Sequence, residues 1–177
     1  MAAEEIIKKL VFENKDSEIR ELAHSPEEGW TLYEDFKGVK CVFRNTPGDP
    51  LRLARSTGIV KAPIAEVYKL LMQVERKPEW DQTTGEVKVV RKLDENRSIG
   101  HQKTKSFLGV SPRDYIGVMT ANPFAQDGSV SISLTPFAGS EKVVPPEKGF
   151  VRAQVFFNGT LLEPVGSDST KITMLMK

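Results

Sequence analysis

The sequence predicts an α+β domain built on an antiparallel sheet, and three observations carry that reading. Apolar residues recur at helical spacing in only two places, near the N-terminus and just after Pro63. Most of the remaining chain alternates polar and apolar residues, the period of a half-buried strand. Gly, Asn, Asp or Pro residues separate several of these runs, so the strands are mostly neighbours in sequence and pair antiparallel.

Taken in order, residues 3–23 read as one amphipathic helix, with Ile6, Ile7, Leu10, Val11, Ile19 and Leu22 on a stripe between Glu and Lys. Ser25-Pro26 closes it. Residues 30–36 alternate as a strand, Gly38 turns the chain into 39–44, and Thr46-Pro-Gly-Asp-Pro50 leads to a third strand near 51–60. Pro63 suits the first turn of a helix, and Ile64, Val67, Leu70, Leu71 and Val74 give that helix its apolar stripe. A short polar segment, Glu75–Asp81, ends it. Strands then follow near 84–93, 97–105, 113–121, 128–136, 149–157, 160–165 and 171–176. No repeat or linker interrupts the chain, which reads as one domain over 1–177, with the helix at 1–23 and the sheet and internal helices at 24–177.

Composition narrows the function. Lys and Arg number 25 against 24 Asp and Glu, so the chain lacks the basic footprint of a nucleic-acid binder. One cysteine, Cys41, excludes an intrachain disulfide and a multi-cysteine zinc cluster. No apolar run approaches the ~20 residues that span a bilayer. The N-terminus lacks the apolar core of a secretory signal, and a cytoplasmic protein is expected.

Catalytic groups are scarce, and no enzyme is expected. His24 ends the first helix, where a cation suits the helix dipole. His101 falls on the charged face of its strand and reads as a surface residue. No metal-ligand spacing, phosphate loop or nucleophile motif occurs, so neither metal nor cofactor is expected. Glu79 and Asp81 flank Trp80, but Arg76 and Lys77 beside them favour a salt-bridged cluster over an acid–base pair. Arg113, Asp114 and Arg152 read as a structural ion network. In 97–105, Ser98, Gly100, Gln102 and Thr104 share one face; in 113–121, Arg113, Tyr115, Gly117, Met119 and Ala121 do. Small and mostly uncharged, such a lining leaves room for a ligand with a few hydrogen-bonding groups. Between these strands, Phe107, Leu108 and Val110 put apolar side chains on a loop.

Several segments then line up in order with one family. Gly29-Trp30, Val39–Val42, Arg76–Asp81, Val110–Tyr115, Pro145–Arg152, Leu162–Pro164 and Ser169–Thr173 are similar to the motifs of the START domain, the steroidogenic-acute-regulatory-related lipid-transfer module. The resemblance implies a helix-grip fold, a curved antiparallel sheet around a C-terminal helix with a lipid tunnel between them. It implies a non-enzymatic protein that holds one phospholipid, sterol or related lipid and touches membranes transiently. Alternatives are a helix-grip enzyme of the polyketide cyclase or aromatase type, and a lipid sensor without transport. The family's sterol binders use an acid and an arginine, for which this chain has Gln102 and Met119. Its choline-lipid binders use a basic residue and an aromatic cage, and Lys77, Tyr115 and Phe156 stand near those positions. Gln102, Thr104, Tyr115, Met119, Phe156 and Lys77 are therefore the expected lipid-binding residues, and the 106–112 loop with Phe107, Leu108 and Val110 the expected gate. The resemblance also implies a gripped C-terminal helix that this chain does not contain, and with it self-association through an uncovered groove.

Overall fold

Ten strands make up most of the regular secondary structure of the computed structural model, which describes residues 2–106 and 109–177. They are β1 (Thr31–Phe36), β2 (Val39–Arg44), β3 (Leu53–Val60), β4 (Thr84–Lys92), β5 (Arg97–Thr104), β6 (Arg113–Ala121), β7 (Val130–Thr135), β8 (Val151–Arg152), β9 (Asn158–Val165) and β10 (Ser169–Met176). The helices are α1 (Ala3–Lys8), α2 (Asp16–His24), α3 (Ile64–Met72) and α4 (Ser140–Val143), with a 3₁₀ turn at Val74–Glu79. The chain divides into two compact units. One holds residues up to Glu13, Leu70–Thr120 and Leu134–Val155; the other holds Asn14–Lys69, Ala121–Ser133 and Phe156–Lys177.

In the first unit β4, β5 and β6 form successive antiparallel ladders, and the two residues of β8 pair parallel with Arg113 and Asp114 of β6. Pleating sends alternate side chains to opposite faces. Ile99, Ile116 and Val118 point to one face and bury themselves under Ile7, Leu10 and Phe12, together with Phe137, Val143 and Val144. The opposite face carries Gln102 across from Tyr115, Gly100 across from Gly117, and Ser98 across from Met119.

In the second unit β1, β2, β3, β10 and β9 follow one another in antiparallel order. Helix α2 covers one face of this sheet, where Ile19, Leu53, Phe157, Leu161 and Leu175 form the core. Gly159 sits directly beneath Ile19, whose Cγ1 stands 2.5 Å from where a Cβ would be. Asp16 and Arg20 of α2 bond each other and the hydroxyls of Ser131 and Ser129, which fixes the helix on its face. The other face is open at Met174 and Met176, which are 50% and 60% exposed.

Three sequence expectations need correction. The single helix over 3–23 is two helices, because Val11 is exposed and Asn14 accepts the Asp16 amide through its side chain (2.9 Å), a local bond that competes with helix continuation. The strand expected over 149–157 contracts to Val151–Arg152, since Gly149 adopts φ +93° and the Phe156 and Phe157 amides turn to the Lys177 carbonyl. His101 is buried, not on the surface, because the face it shares with Ile99 is the one that α1 and its flanking residues cover. The chain also forms α4, which the sequence did not suggest.

Replacing Gly159 with Ala drives a methyl into Ile19, which is fully buried. Overpacking of this kind costs about 1–3 kcal/mol, and urea unfolding is expected to show that loss with an unchanged m-value.

Candidate functional site

The first unit gathers polar side chains on an otherwise small and apolar surface. Lys77, on the 3₁₀ turn, donates from Nζ to Gln102 Oε1 at 3.0 Å. Gln102 Nε2 donates to Thr84 Oγ1 at 2.9 Å, and that hydroxyl donates to Asp81 Oδ2 at 2.7 Å. Lys77 Nζ closes the ring, 3.6 Å from the same carboxylate oxygen. Each position follows from local structure. Lys77 lies on the 3₁₀ turn and Asp81 just past its end, where its amide donates to the Lys77 carbonyl at 2.9 Å, and β5 pairs Gln102 with both Val87 and Tyr115. Asp81 further accepts the Thr83 amide and hydroxyl at 2.9 and 2.6 Å, so the turn into β4 is locked.

Burial and neighbouring charge set the protonation states. Burial raises the Asp81 carboxyl, but bonds from Thr83 and Thr84 and the charge of Lys77 outweigh it and hold the group at about 2. Burial also lowers the Lys77 ammonium from its ordinary value, with Asp81 opposing the shift. Tyr115 is raised, first by burial and then by the Asp81 charge, so it stays a neutral phenol. The cluster therefore presents an ion pair, an amide and a phenol, which can hydrogen-bond a polar group.

Beside it lies space. A Cβ at Gly100 would meet nothing within 4 Å, whereas at Gly117 it would stand 2.8 Å from the Thr135 carbonyl and 3.0 Å from Leu134 Cδ1. Leu134 thus fills the surface over one glycine and leaves it open over the other. Val87 and Val89, across from Gln102 and Gly100, extend the apolar lining, and Val89 is 41% exposed.

Of the expected lipid-binding residues, the structure brings Lys77, Gln102 and Tyr115 together, and places Met119 farther along the same face across from Ser98. Thr104 is engaged elsewhere: its hydroxyl accepts the Arg113 amide at 2.9 Å and lies 3.3 Å from the Arg113 carbonyl. Phe156 belongs to the second unit and is half exposed. Of the loop residues, Phe107 and Leu108 lie outside the described residues, and Val110 is 47% exposed. Asp114 and Arg152 form a bidentate ion pair at 3.1 and 2.8 Å, with His101 as the third member at 2.8 Å. Arg113 instead donates to the Ser111 carbonyl at 2.9 Å. Asp81 and Thr84 were not singled out as part of a site. The signal for Asp81 was present in its four-residue spacing from Lys77, but nothing in the sequence marks a threonine as the hub of a network. Among the described residues no three His, Cys, Asp or Glu are grouped to hold a metal, and no helix is long and apolar enough to cross a membrane.

The architecture has solved counterparts. The structure of human StAR-related lipid transfer protein 5 matches 98% of this chain and 80% of its own with a TM-score of 0.80 at 20% identity. That of the STAR-related lipid transfer protein from Xanthomonas axonopodis matches 85% and 81% with a TM-score of 0.73 at 25% identity. The fold is of the helix-grip class. The START domain profile matches residues 10–177, and the chain belongs to that family. In sequence, it is 24% identical over 151 residues to human StAR-related lipid transfer protein 5, covering 83% of this chain and 70% of that one. It is 29% identical over 157 residues to the human mitochondrial steroidogenic acute regulatory protein, covering 86% of this chain and 54% of that one.

The depressed Asp81 pKa carries a pH signature. A carboxyl held at about 2 contributes stability that is complete above its unfolded value near 3.8 and is lost as pH falls through 2. Asp81→Asn is expected to cost about 2 kcal/mol at neutral pH, with the gap to wild type closing between pH 4 and 2 in urea melts.

Proposed function

We propose that the chain binds one lipid and transfers it between membranes, without covalent chemistry. The observation that carries this reading is the polar ring of Lys77, Gln102, Thr84 and Asp81 set at one end of an open apolar surface, with the Tyr115 phenol across from Gln102. The polar end hydrogen-bonds the lipid's head, and Val87, Met119 and Leu134 receive its apolar part. Each buried methylene contributes about 0.8 kcal/mol, so a long chain supplies most of the affinity and the polar groups supply orientation. Membership of the START family, and relatives named as lipid transfer proteins, support the assignment.

The 106–112 loop is the gate in this reading. Its two ends are fastened, at Thr104 to the Arg113 backbone and at Pro112 to the Val151 amide (3.0 Å). Its tip keeps Val110 in water, with Gly109 at φ +78°, a conformation that favours glycine. An apolar tip between fixed ends is suited to exchange between a lipid and a membrane surface. A cyclase reading is less well supported, because the buried imidazole of this unit, His101, points to the face of β5 opposite Gln102 and is bonded to Asp114.

Native mass spectrometry of lipid retained by the protein, followed by vesicle-to-vesicle transfer of a fluorescent lipid, tests the proposal. Gln102→Leu is expected to weaken binding about tenfold, the loss of roughly one charge-assisted hydrogen-bond set. Leu108→Asp is expected to slow transfer while leaving equilibrium binding and melting temperature unchanged. Failure to retain or take up any lipid across sterol, phospholipid and sphingolipid panels overturns the reading.

A further inference from the structure

The second unit carries a pocket of different chemistry on the α2 side of its sheet. It has a volume of about 210 Å³ and is lined in part by Ser25, Glu27, Lys40, Arg55, Thr57 and Lys171. One water needs roughly 10–15 Å³, and sites for drug-sized molecules run from about 300 Å³ upward. The pocket therefore suits one small group, not a whole lipid.

Its chemistry is cationic. The register sets Lys40 across from Thr57, Arg55 across from Val42, and Lys171 across from Ile59, so three positive side chains leave one face of β2, β3 and β10. Arg55 is rigid. It is 5% exposed, its Nη1 donates to the Leu22 and Ser25 carbonyls at 3.2 and 2.8 Å, and its guanidinium carbon lies 4.3 Å from the Trp30 ring centre. That leaves Nη2 to serve the pocket. Nη2 holds Glu27 Oε1 at 3.0 Å, and Lys40 Nζ holds Glu27 Oε2 at 2.7 Å. Glu27 thus stands as a carboxylate bridging two cations, yet its side chain is 65% exposed on the turn after α2. The Lys40–Glu27 half of the bridge is exposed on both sides and contributes little to stability, so the carboxylate is readily exchanged there. Lys171 adds a third cation, shared with Glu163 at 3.0 Å. The lining itself holds three cations and one carboxylate, Glu27; Glu163, bonded to Lys171 and His24, and Asp35, across from Lys40, stand outside it.

We propose that this pocket binds a phosphate group, as inorganic phosphate or a phosphate monoester, which displaces the Glu27 carboxylate and takes its place between Lys40 and Arg55. A phosphate dianion offers more acceptor oxygens and more charge than a carboxylate, and a fixed guanidinium edge beside an ammonium is a donor set matched to it. The source is a soluble phosphate or the headgroup of an anionic lipid. Leu32 and Ile59, 57% and 62% exposed on the same face, suit the second.

Calorimetric titration of the full chain with inorganic phosphate at low ionic strength, and flotation with phosphatidylcholine vesicles containing phosphatidic acid, test the site in wild type, Glu27→Gln and Lys40→Met. One saturable phosphate per chain is expected, about tenfold weaker in Lys40→Met, the worth of one charge-assisted bond. Glu27→Gln is expected to bind severalfold tighter, because the competing charge is gone. A role limited to structural ion pairing would not produce that gain. Flotation that follows the same variant order assigns a lipid headgroup; phosphate binding without flotation assigns a soluble ligand. Equal phosphate affinity in wild type and Lys40→Met overturns the proposal, as does weaker binding by Glu27→Gln, or the absence of both saturable heat and variant-dependent flotation. None of these outcomes bears on lipid uptake by the first unit, which is read separately by native mass spectrometry.

Discussion

The first unit depends on one buried negative charge. Asp114 has no exposure to water, and an unpaired carboxylate in that position would cost several kcal/mol. Burial pushes its pKa up; bonds from Arg152 and His101 pull it down by more, and the group stays ionised. The consequences are geometric. Arg152 reaches both oxygens of Asp114 and the Val144 carbonyl, which holds the two-residue strand β8 in a parallel pairing that backbone bonds alone would hold weakly. His101 ties β5 to β6 at the same point. Because side chains alternate along a strand, fixing His101 and Asp114 on one face fixes Gln102 and Tyr115 on the other. The ion network and the Gln102–Tyr115 pair are two sides of one register.

That coupling explains what the sequence could and could not convey. Nine of the ten strands stand close to where alternation and turn residues put them, because pleat period and turn chemistry are local properties. The faces were legible too: Gln102, Tyr115 and Met119 share a surface as their spacing requires. His101 was misread because Lys103 and Lys105 make its face look wet. Its burial comes from residues 7–12 and 137–144, distant in sequence. The short β8 was misread because Gly149 and the turn of Phe156 toward Lys177 are set by tertiary contacts. Thr84 was invisible as a site residue, since only the fold brings Gln102 onto its hydroxyl.

The break between α1 and α2 has the same origin. One apolar stripe in the sequence serves two cores, Ile7 and Leu10 packing with Ile99 and Val118, and Ile19 packing with Leu161 and Leu175. A continuous helix would keep a single helical phase along its whole length. The interruption at 9–15 frees each half to present its own apolar residues to its own set of strands, and Asn14 starts the second half at a defined residue. Hydrophobic periodicity reports that both halves are amphipathic, but not that they answer to different partners.

Gly100 and Gly117 face each other across one ladder yet live in opposite surroundings, one over empty space and one beneath Leu134. The pair therefore behaves as a volume control with one free setting. Enlarging residue 117 strains the backbone of β7, so that position is closed to variation. At residue 100 a Cβ meets nothing within 4 Å, so a methyl is accommodated there without displacing a neighbour. Substitution at Gly100 therefore changes the volume of this face while the ring of Lys77, Gln102, Thr84 and Asp81 is left as it is.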